Sequence, residues 1–202
     1  MLSAVLSPSP ENLEALAALR SATRELHERV DRLMDLQRMQ DPGHYARVLQ
    51  ALDAFLAGWE PAVAAALPQR WHHWLQQRSR RPFLRADLRE LGIAPCPPAH
   101  VPPLQSEPAA WGSLYVMEGS ALGGQLISRT LAPAGVLPTR GGAYFHGWGH
   151  ATGAMWREVR GLLATELASP AAVAQACEAA RQTFETLSHL LHQHLDERTA
   201  TA

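Results

Sequence analysis

Residues 117–129 read MEGSALGGQLISR and lie inside an apolar run long enough for a buried helix. Glycine occurs in this stretch at positions 119, 123 and 124. Each glycine in a helix interior costs about 1 kcal/mol relative to alanine. Three such costs in so short a span indicate that something approaches the backbone of this helix closely.

Two explanations of these glycines make different demands on the rest of the chain. At 100° per residue, Gly119, Gly123 and Gly124 fall on adjoining sides of the helix and leave a strip of backbone without side chains. Small residues at this spacing let two helices pack closely, which requires only a neighbouring helix. The alternative is a flat, bulky ligand that lies against the backbone, over which the glycines also allow the helix to bend. A ligand requires a second element opposite the glycines to hold it.

The composition is that of an ordinary one-domain protein. The 202 residues are 47% hydrophobic and 18% charged, with a formal net charge of -1. A chain of this length can bury one core without metals or disulfides, and its near-zero net charge argues against a nucleic-acid partner. Every basic residue is an arginine. An anion site must therefore use arginine or backbone amides.

The cysteines and the most apolar segment indicate in which cellular compartment the protein is expected. Cys96 and Cys177 are far apart and form no CxxC motif, which predicts neither a zinc site nor a disulfide framework and favours a reducing cytoplasm. The first residues lack the basic and long apolar regions of a signal peptide. Residues 111–131 carry Glu118 near their middle, so a buried helix is favoured over a membrane span and no membrane partner is expected.

Apolar periodicity predicts an all-α fold, namely a compact bundle of several helices in a single domain at 12–196, with flexible tails at 1–11 and 197–202. Asp41 is expected to cap the second helix. The predicted helices cover about 12–36, 44–66, 68–78, 86–91, the glycine-containing run, 152–168 and 170–195. The proline-rich stretch 94–103 is predicted to be a non-helical connector.

The first predicted helix carries residues that could hold a ligand. Arg20, Arg24 and His27 lie on one side of it, and Arg20 and His27 are about 10 Å apart along the axis. One interpretation is a core histidine bonded to a carbonyl, with the arginines in surface pairs such as Arg24 with Glu28. The other is a metal ligand, because neutral imidazole is a common axial ligand of haem iron and haem propionates would bind arginine.

Two segments of the chain resemble the two haem-contacting helices of haem oxygenases. LRSATRELHERVDRLM, residues 19–34, resembles the proximal helix, and LYVMEGSALGGQLISRTL, residues 114–131, resembles the distal helix. The likeness is greatest to the bacterial branch found beside bacteriophytochromes. YFHGWGHATGAMWREV and ARQTFETL, farther along the chain, are similar to the same branch.

The resemblance implies which residues contact haem. His27 matches the proximal iron ligand of the family. Arg20, Arg24 and Arg181 match basic positions near the haem propionates, and Tyr115 is close to the position of a tyrosine that touches a propionate. These five residues are therefore expected to contact haem through their side chains.

On the glycine-containing helix, Gly119 and Gly123 match the distal glycines that let the family's helix kink over the iron, and Gly124 follows them as it does in the family. Gly119, Ser120 and Gly123 are the positions expected to act in catalysis. Ser120 is a departure, since many members carry an aspartate there that helps hold a proton-delivering water network. A serine hydroxyl donates and accepts hydrogen bonds but does not titrate near neutral pH. Glu118, two residues earlier, is expected to point elsewhere.

The resemblance implies a haem oxygenase, for which haem is both substrate and cofactor. With O₂ and external electrons it would cleave haem at a meso carbon to biliverdin, carbon monoxide and ferrous iron. The chain has no dinucleotide-binding motif and no iron–sulfur cysteine set, so a ferredoxin or reductase is the expected donor. The implied branch would pass biliverdin to a phytochrome.

Two alternatives to this enzyme are open. The first is a haem-binding carrier or sensor that has lost the oxygen chemistry, for which Ser120 is the best evidence. The second is a thiaminase-like hydrolase of similar architecture. That chemistry needs a reactive cysteine in a polar pocket, which the surroundings of Cys96 and Cys177 in the sequence do not favour.

Overall fold

The computed structural model describes residues 10–196, with side chains from residue 14 onward, and within that range all regular elements are helices. The α-helices are α1 (Pro10–Met34), α2 (Pro42–Ala66), α3 (His72–Gln77), α4 (Arg81–Glu90), α5 (Glu107–Leu131), α6 (Ala143–His146), α7 (Thr152–Glu166) and α8 (Pro170–Asp196). Single 3₁₀ turns lie at 38–40, 69–71, 132–134 and 149–151. The predicted all-α fold is confirmed. The tails predicted at 1–11 and 197–202 lie outside the described residues, except Pro10 and Glu11, with which α1 begins.

Several predicted helix boundaries are confirmed, and others are wrong for local reasons. Asp41 caps α2 as predicted, because its Oδ1 accepts a hydrogen bond from the His44 backbone N–H at 2.6 Å. The helix predicted at 68–78 is divided between the 3₁₀ turn at 69–71 and α3. Helix α4 begins at Arg81 and not at Ala86, since Pro82 fits its first turn, where a missing N–H costs nothing.

Helix α8 is the platform on which the fold is built. Helices α1, α2 and α5 pack along it, whereas α1 and α5 make few contacts with each other. At Gly112 of α5 an added methyl group would overlap the backbone of Ala176 on α8. Close by, the hydroxyls of Ser113 and Thr183 lie 2.7 Å apart, and Trp59 Nε1 donates to Ser113 Oγ at 2.7 Å. The space between α1 and α5, which both pack on α8 and on α7, is called the cleft below.

The short helix α6 was not predicted, because a distant carboxylate stabilises it. Asp87 on α4 accepts hydrogen bonds from the backbone N–H groups of Ala143 and Tyr144, both at 2.8 Å. Burial raises the pKa of Asp87, and these two hydrogen bonds oppose the rise. The Tyr45 hydroxyl donates to the Gly141 carbonyl at 2.7 Å and fixes the preceding turn. Contacts between α2, α4 and residues 141–144 thus determine the local structure there.

The proline-rich connector at 94–103 is non-helical, as predicted, and the apolar residues 111–131 belong to α5. Residues 94–103 form no helix, and the Ala99 backbone N–H donates to the Ala54 carbonyl of α2 at 2.8 Å. Among the described helices, none is both long and apolar enough to cross a membrane.

The close approach of α5 to α8 leads to a prediction about stability. Gly112→Ala should lower the free energy of unfolding by about 1–3 kcal/mol, because the methyl group has no space beside Ala176. Gly161→Ala is the matched control on α7: no atom lies within 4 Å of the added methyl, so it should raise stability by up to about 1 kcal/mol. Urea unfolding monitored by circular dichroism measures both. Equal stability of the two variants would show that the α5–α8 contact does not require glycine.

Candidate functional site

His27 presents its imidazole on the surface of α1. Its side chain is 59% exposed, and Nδ1 lies 3.2 Å from Asp31 Oδ2 one turn farther along the helix. The ring meets Phe184 of α8 edge-on, with centroids 5.7 Å apart. When Nδ1 donates to the carboxylate, Nε2 keeps its lone pair, which is the arrangement found at metal-ligating histidines. The interpretation of His27 as a core histidine bonded to a carbonyl is wrong, because the ring is exposed and its partner is a carboxylate.

The arginines near His27 are differently engaged. Arg20 and Arg24 are exposed, and within the described part of the chain neither forms an ion pair, including the surface pair considered for Arg24 with Glu28. Arg181 on α8 is paired with Glu178 at 2.6 Å and remains 41% exposed. The charges of Arg20 and Arg24 are therefore available to a ligand, and that of Arg181 is shared with a surface carboxylate.

Tyr115 joins the two walls of the cleft. It belongs to α5, and its hydroxyl lies near Thr23 and Arg20 of α1. Burial raises the pKa of Tyr115, while the Thr23 hydroxyl and the Arg20 charge oppose the rise. Cys177 of α8 lies close to Tyr115. Burial raises the pKa of the Cys177 thiol, and the charge of Arg181 opposes that rise. The structure thus brings Arg20, Tyr115 and Arg181, which come from three helices, into one neighbourhood.

The three glycines of the opening stretch have different surroundings. A methyl group added at Gly123 would meet no atom within 4 Å, and at Gly119 it would meet only the Trp156 ring at 3.5 Å. At Gly124 it would lie 2.9 Å from the Phe145 carbonyl oxygen. Close packing against Phe145 therefore explains Gly124, which is not part of the exposed backbone at Gly119 and Gly123. Packing does not explain Gly123.

Two large apolar side chains lie beside the bare backbone. Leu122 and Leu126 are 42% and 52% exposed, and their spacing puts them on the same face of α5 as Gly119 and Gly123. Tyr115 shares this face and reaches α1, so the face looks into the cleft. Exposed apolar surface of this kind in a cleft typically marks a binding site. Helix α5 thus exposes an apolar face, and α1 exposes an imidazole and two available guanidinium groups.

Ser120 lies at the edge of this face and is held by a buried arginine. Its hydroxyl donates to the Met117 carbonyl at 2.8 Å and accepts from Arg80 Nη2 at 2.7 Å. The same Nη2 donates to the Met117 carbonyl at 2.6 Å, and the guanidinium stacks over the Tyr144 ring at 5.0 Å. Arg80 was missed in the sequence, because only the arginine-rich run at 78–81 marks it and that pattern is typical of surfaces.

Glu118 points away from Ser120, as predicted. It forms an ion pair with Arg78 at 2.8 Å, and both side chains are almost fully buried. Arg78 also donates to Glu158 at 3.1 Å and to the Met155 carbonyl at 2.9 Å, so its charge is well compensated. These bonds connect the end of α3 to α5 and α7. They hold α5 in place immediately before Gly119.

The histidines of α8 do not form a metal site. Within residues 10–196 no group of three or more histidine, cysteine, aspartate and glutamate side chains could hold a metal ion, which leaves His189, His192 and His194 on a solvated helix end. His192 pairs with Asp196 at 2.9 Å. A single imidazole such as His27 would suffice to hold an iron whose other ligands come from a porphyrin.

The fold and the cleft define a class of protein: an all-helical ligand-binding protein in which a histidine helix and a glycine-containing helix share one platform. The Heme oxygenase family model matches residues 13–193. The chain is also 39% identical to a heme oxygenase of Xanthomonas campestris pv. campestris (strain 8004) over 144 residues, which cover 71% of this chain and 86% of that relative. The chain belongs to the haem oxygenase family.

A solved structure supports the same fold. The haem oxygenase of Neisseria meningitidis, solved in NO- and CO-bound forms, is similar with a TM-score of 0.76 and 23% sequence identity. The alignment covers 93% of this chain and 94% of that one. The family is one of haem-using oxidoreductases, and membership of it replaces the thiaminase-like alternative. The predicted family and enzyme class are confirmed.

The different surroundings of Gly123 and Gly124 predict opposite effects on stability. In the haem-free protein, Gly123→Ala should raise the free energy of unfolding by up to about 1 kcal/mol, because alanine has the higher helix propensity and no contact is lost. Gly124→Ala should lower it, since the methyl group meets the Phe145 carbonyl. Urea denaturation of the two variants beside the parent measures this. A destabilised Gly123→Ala protein would mean that Gly123 serves packing and not ligand access.

Proposed function

We propose that this protein cleaves haem at a meso carbon with O₂ and external electrons, giving biliverdin, carbon monoxide and ferrous iron. The observation that carries the proposal is Gly123 of α5, where an added methyl group would meet no atom within 4 Å, on the face that also exposes Leu122 and Leu126. Open space alone does not distinguish Gly123, because Gly161 of α7 is equally open. Gly123 differs in that exposed Leu122 and Leu126 share its face of α5. Membership of the haem oxygenase family supports the proposal.

The residues of the cleft fit haem by their chemistry. His27 would bind the iron through Nε2, and its bond to Asp31 fixes the orientation of the ring. Arg20 and Arg24, assisted by Tyr115 and Arg181, would bind the propionates. Leu122 and Leu126 would cover one porphyrin face. When bound, the haem supplies the iron that activates O₂ and the ring carbon that is oxidised.

Helix α5 determines where O₂ can lie. Its backbone at Gly119 and Gly123 would limit the height of the space above the porphyrin, so that a diatomic molecule is directed toward the ring edge. The contacts of Arg78 and Arg80 with Glu118 and with the Met117 carbonyl hold this part of α5 in place. Steric direction by a fixed helix thereby favours oxidation of the ring itself.

The proximal side sets the electronic character of the site. A neutral imidazole keeps haem iron globin-like, whereas a thiolate ligand promotes cleavage of the O–O bond. The only cysteine near the cleft is Cys177 among the described residues, and burial raises the pKa of its thiol. His27 is therefore the proposed ligand, and its contact with Asp31 orients the ring.

The chain requires partners for electrons and for its product. A ferredoxin or a reductase is the proposed donor, because the sequence has no motif for a redox cofactor other than haem. A phytochrome that receives biliverdin is proposed on the sequence resemblance to the bacteriophytochrome-associated branch. The compartment expected from the sequence is the cytoplasm.

A haem carrier or sensor is the second candidate function. The observation that favours it is Ser120, whose hydroxyl cannot supply a titrating proton where many relatives carry an aspartate. Ser120 is nevertheless held by Arg80 at a defined position on the edge of the cleft. An organised hydroxyl at that place favours catalysis over simple storage of haem.

Replacement of the proposed iron ligand tests the function. His27→Ala should lose the optical spectrum of imidazole-bound haem and the turnover of haem, because His27 is the one histidine of α1. Added imidazole should restore the spectrum and part of the turnover. His73→Ala, at an exposed histidine of α3, is the control and should behave as the parent. An unchanged spectrum and turnover in His27→Ala would refute the assignment of His27.

A further inference from the structure

A cavity of about 380 Å³ lies behind α5, between α2, the segment that joins α3 to α4, and α5 itself. Met117 lines it, and Met117 lies two residues before Gly119, on the opposite side of the helix from the cleft. Leu56 and Trp59 form part of an apolar wall. The volume is ample for several water molecules, each of which needs roughly 10–15 Å³ together with polar partners.

Two carboxylates line this cavity, and only one of them is unpaired. Glu118 is neutralised by Arg78 at 2.8 Å. Glu60 on α2 is half-buried and accepts a hydrogen bond from the Ser79 hydroxyl at 2.6 Å, but within the described chain it forms no ion pair. Of the two cavity carboxyls, Glu60 is therefore the one that no arginine holds in an ion pair within the described chain.

Arg80 connects the cavity to Ser120. The arginine lines the cavity and donates through Nη2 to the Ser120 hydroxyl and to the Met117 carbonyl. The neighbouring Arg81 also lines the cavity, and its buried Nε has no hydrogen-bond partner. A water molecule between Arg81 Nε and the Glu60 carboxyl would give each of these groups a hydrogen-bond partner.

We propose that Glu60 is the titrating group of a proton route that runs through this cavity, past Arg80, to Ser120 and the haem side of α5. This inference rests on the proposed oxygenase function. Glu60 would supply the carboxyl that many members of the family carry as an aspartate at the position of Ser120. Arg78 and Arg80 stay charged throughout and serve as positioning residues.

The proton balance of the route is simple. The protonated Glu60 carboxyl gives its proton to a cavity water, which passes a proton to Ser120 Oγ. The proton that Ser120 held, bonded to the Met117 carbonyl, goes to an acceptor in the cleft. Glu60 then takes a proton from solvent, so that each proton delivered is matched by one taken up.

The groups that face Glu60 determine the sign of its pH dependence. Ser79, Arg80 and Arg81 face it from the segment that leads into α4, Tyr144 faces it from α6, and Glu118 lies across the cavity on α5. Burial raises the pKa of Glu60, and the Ser79 bond and the two arginine charges only partly oppose the rise. Glu60 thus keeps its proton to higher pH than an ordinary glutamate, and the donor form is lost as pH rises through that pKa.

The haem-free protein tests the titration of Glu60 independently of turnover. Infrared spectra recorded against pH should show the band of a protonated carboxyl that persists above the usual glutamate range, absent in Glu60→Gln and present in Glu90→Gln, an exposed control on α4. The free energy of unfolding of the parent should also fall relative to Glu60→Gln as pH rises. The folded state holds a proton in that window that the unfolded state has released.

The haem-loaded protein tests the route itself. Glu60→Gln should turn over haem about tenfold or more slowly and lose the high-pH decline seen in the parent, while its haem affinity is unchanged. Glu60→Asp should regain part of the rate, and Ser120→Ala should also slow turnover without weakening haem binding. A merely structural role of Glu60 would not alter the pH profile in this selective way.

The outcomes separate the route from the function on which it rests. If the parent degrades haem and Glu60→Gln does so equally fast at every pH, the route is wrong and the oxygenase proposal stands. If the parent degrades no haem, the oxygenase proposal fails and the route fails with it. A carboxyl band in the ordinary glutamate range would overturn the role of Glu60 even where turnover is normal.

Discussion

Helices α1 and α5 both pack extensively on α8 and make few contacts with each other, and the whole site depends on this arrangement. The contact of Gly112 with the backbone of Ala176 brings α5 close to the platform, and the Ser113–Thr183 bond fixes its register there. Beyond this contact α5 exposes Leu122, while α1 exposes His27. An open cleft between the helices is thus a consequence of how each packs on a third helix.

Glycine and arginine have distinct physical tasks along α5. Gly112 and Gly124 permit close contact with neighbouring backbone, whereas Gly123 exposes backbone to the cleft. The helix is held on both sides of Gly119 by Arg78 and Arg80, which are two residues apart in the sequence. A guanidinium offers several directional donors and stays charged when buried, so lysine could not replace it in these networks. A rigid wall with one bare strip is the combined result.

Local patterns made much of the fold predictable. Periodicity located the long helices, Asp41 marked the start of α2, and the family resemblance selected His27 and the glycines. What could not be predicted rests on pairs of residues far apart in the sequence, such as Asp87 with Tyr144 and Arg80 with Ser120. The three glycines looked equivalent in the sequence, because only the fold shows which of them meets another backbone.

The most direct test of the central claim is an optical titration of the purified protein with hemin, followed on the same sample by a reductant in air. A stoichiometric haem band should form and then decay as the broad red absorption of biliverdin appears. The exposed His27 of α1 and the bare backbone at Gly123 of α5 lead us to expect this result. A haem band that forms and then survives reduction in air would contradict it and identify the protein as a carrier or sensor of haem.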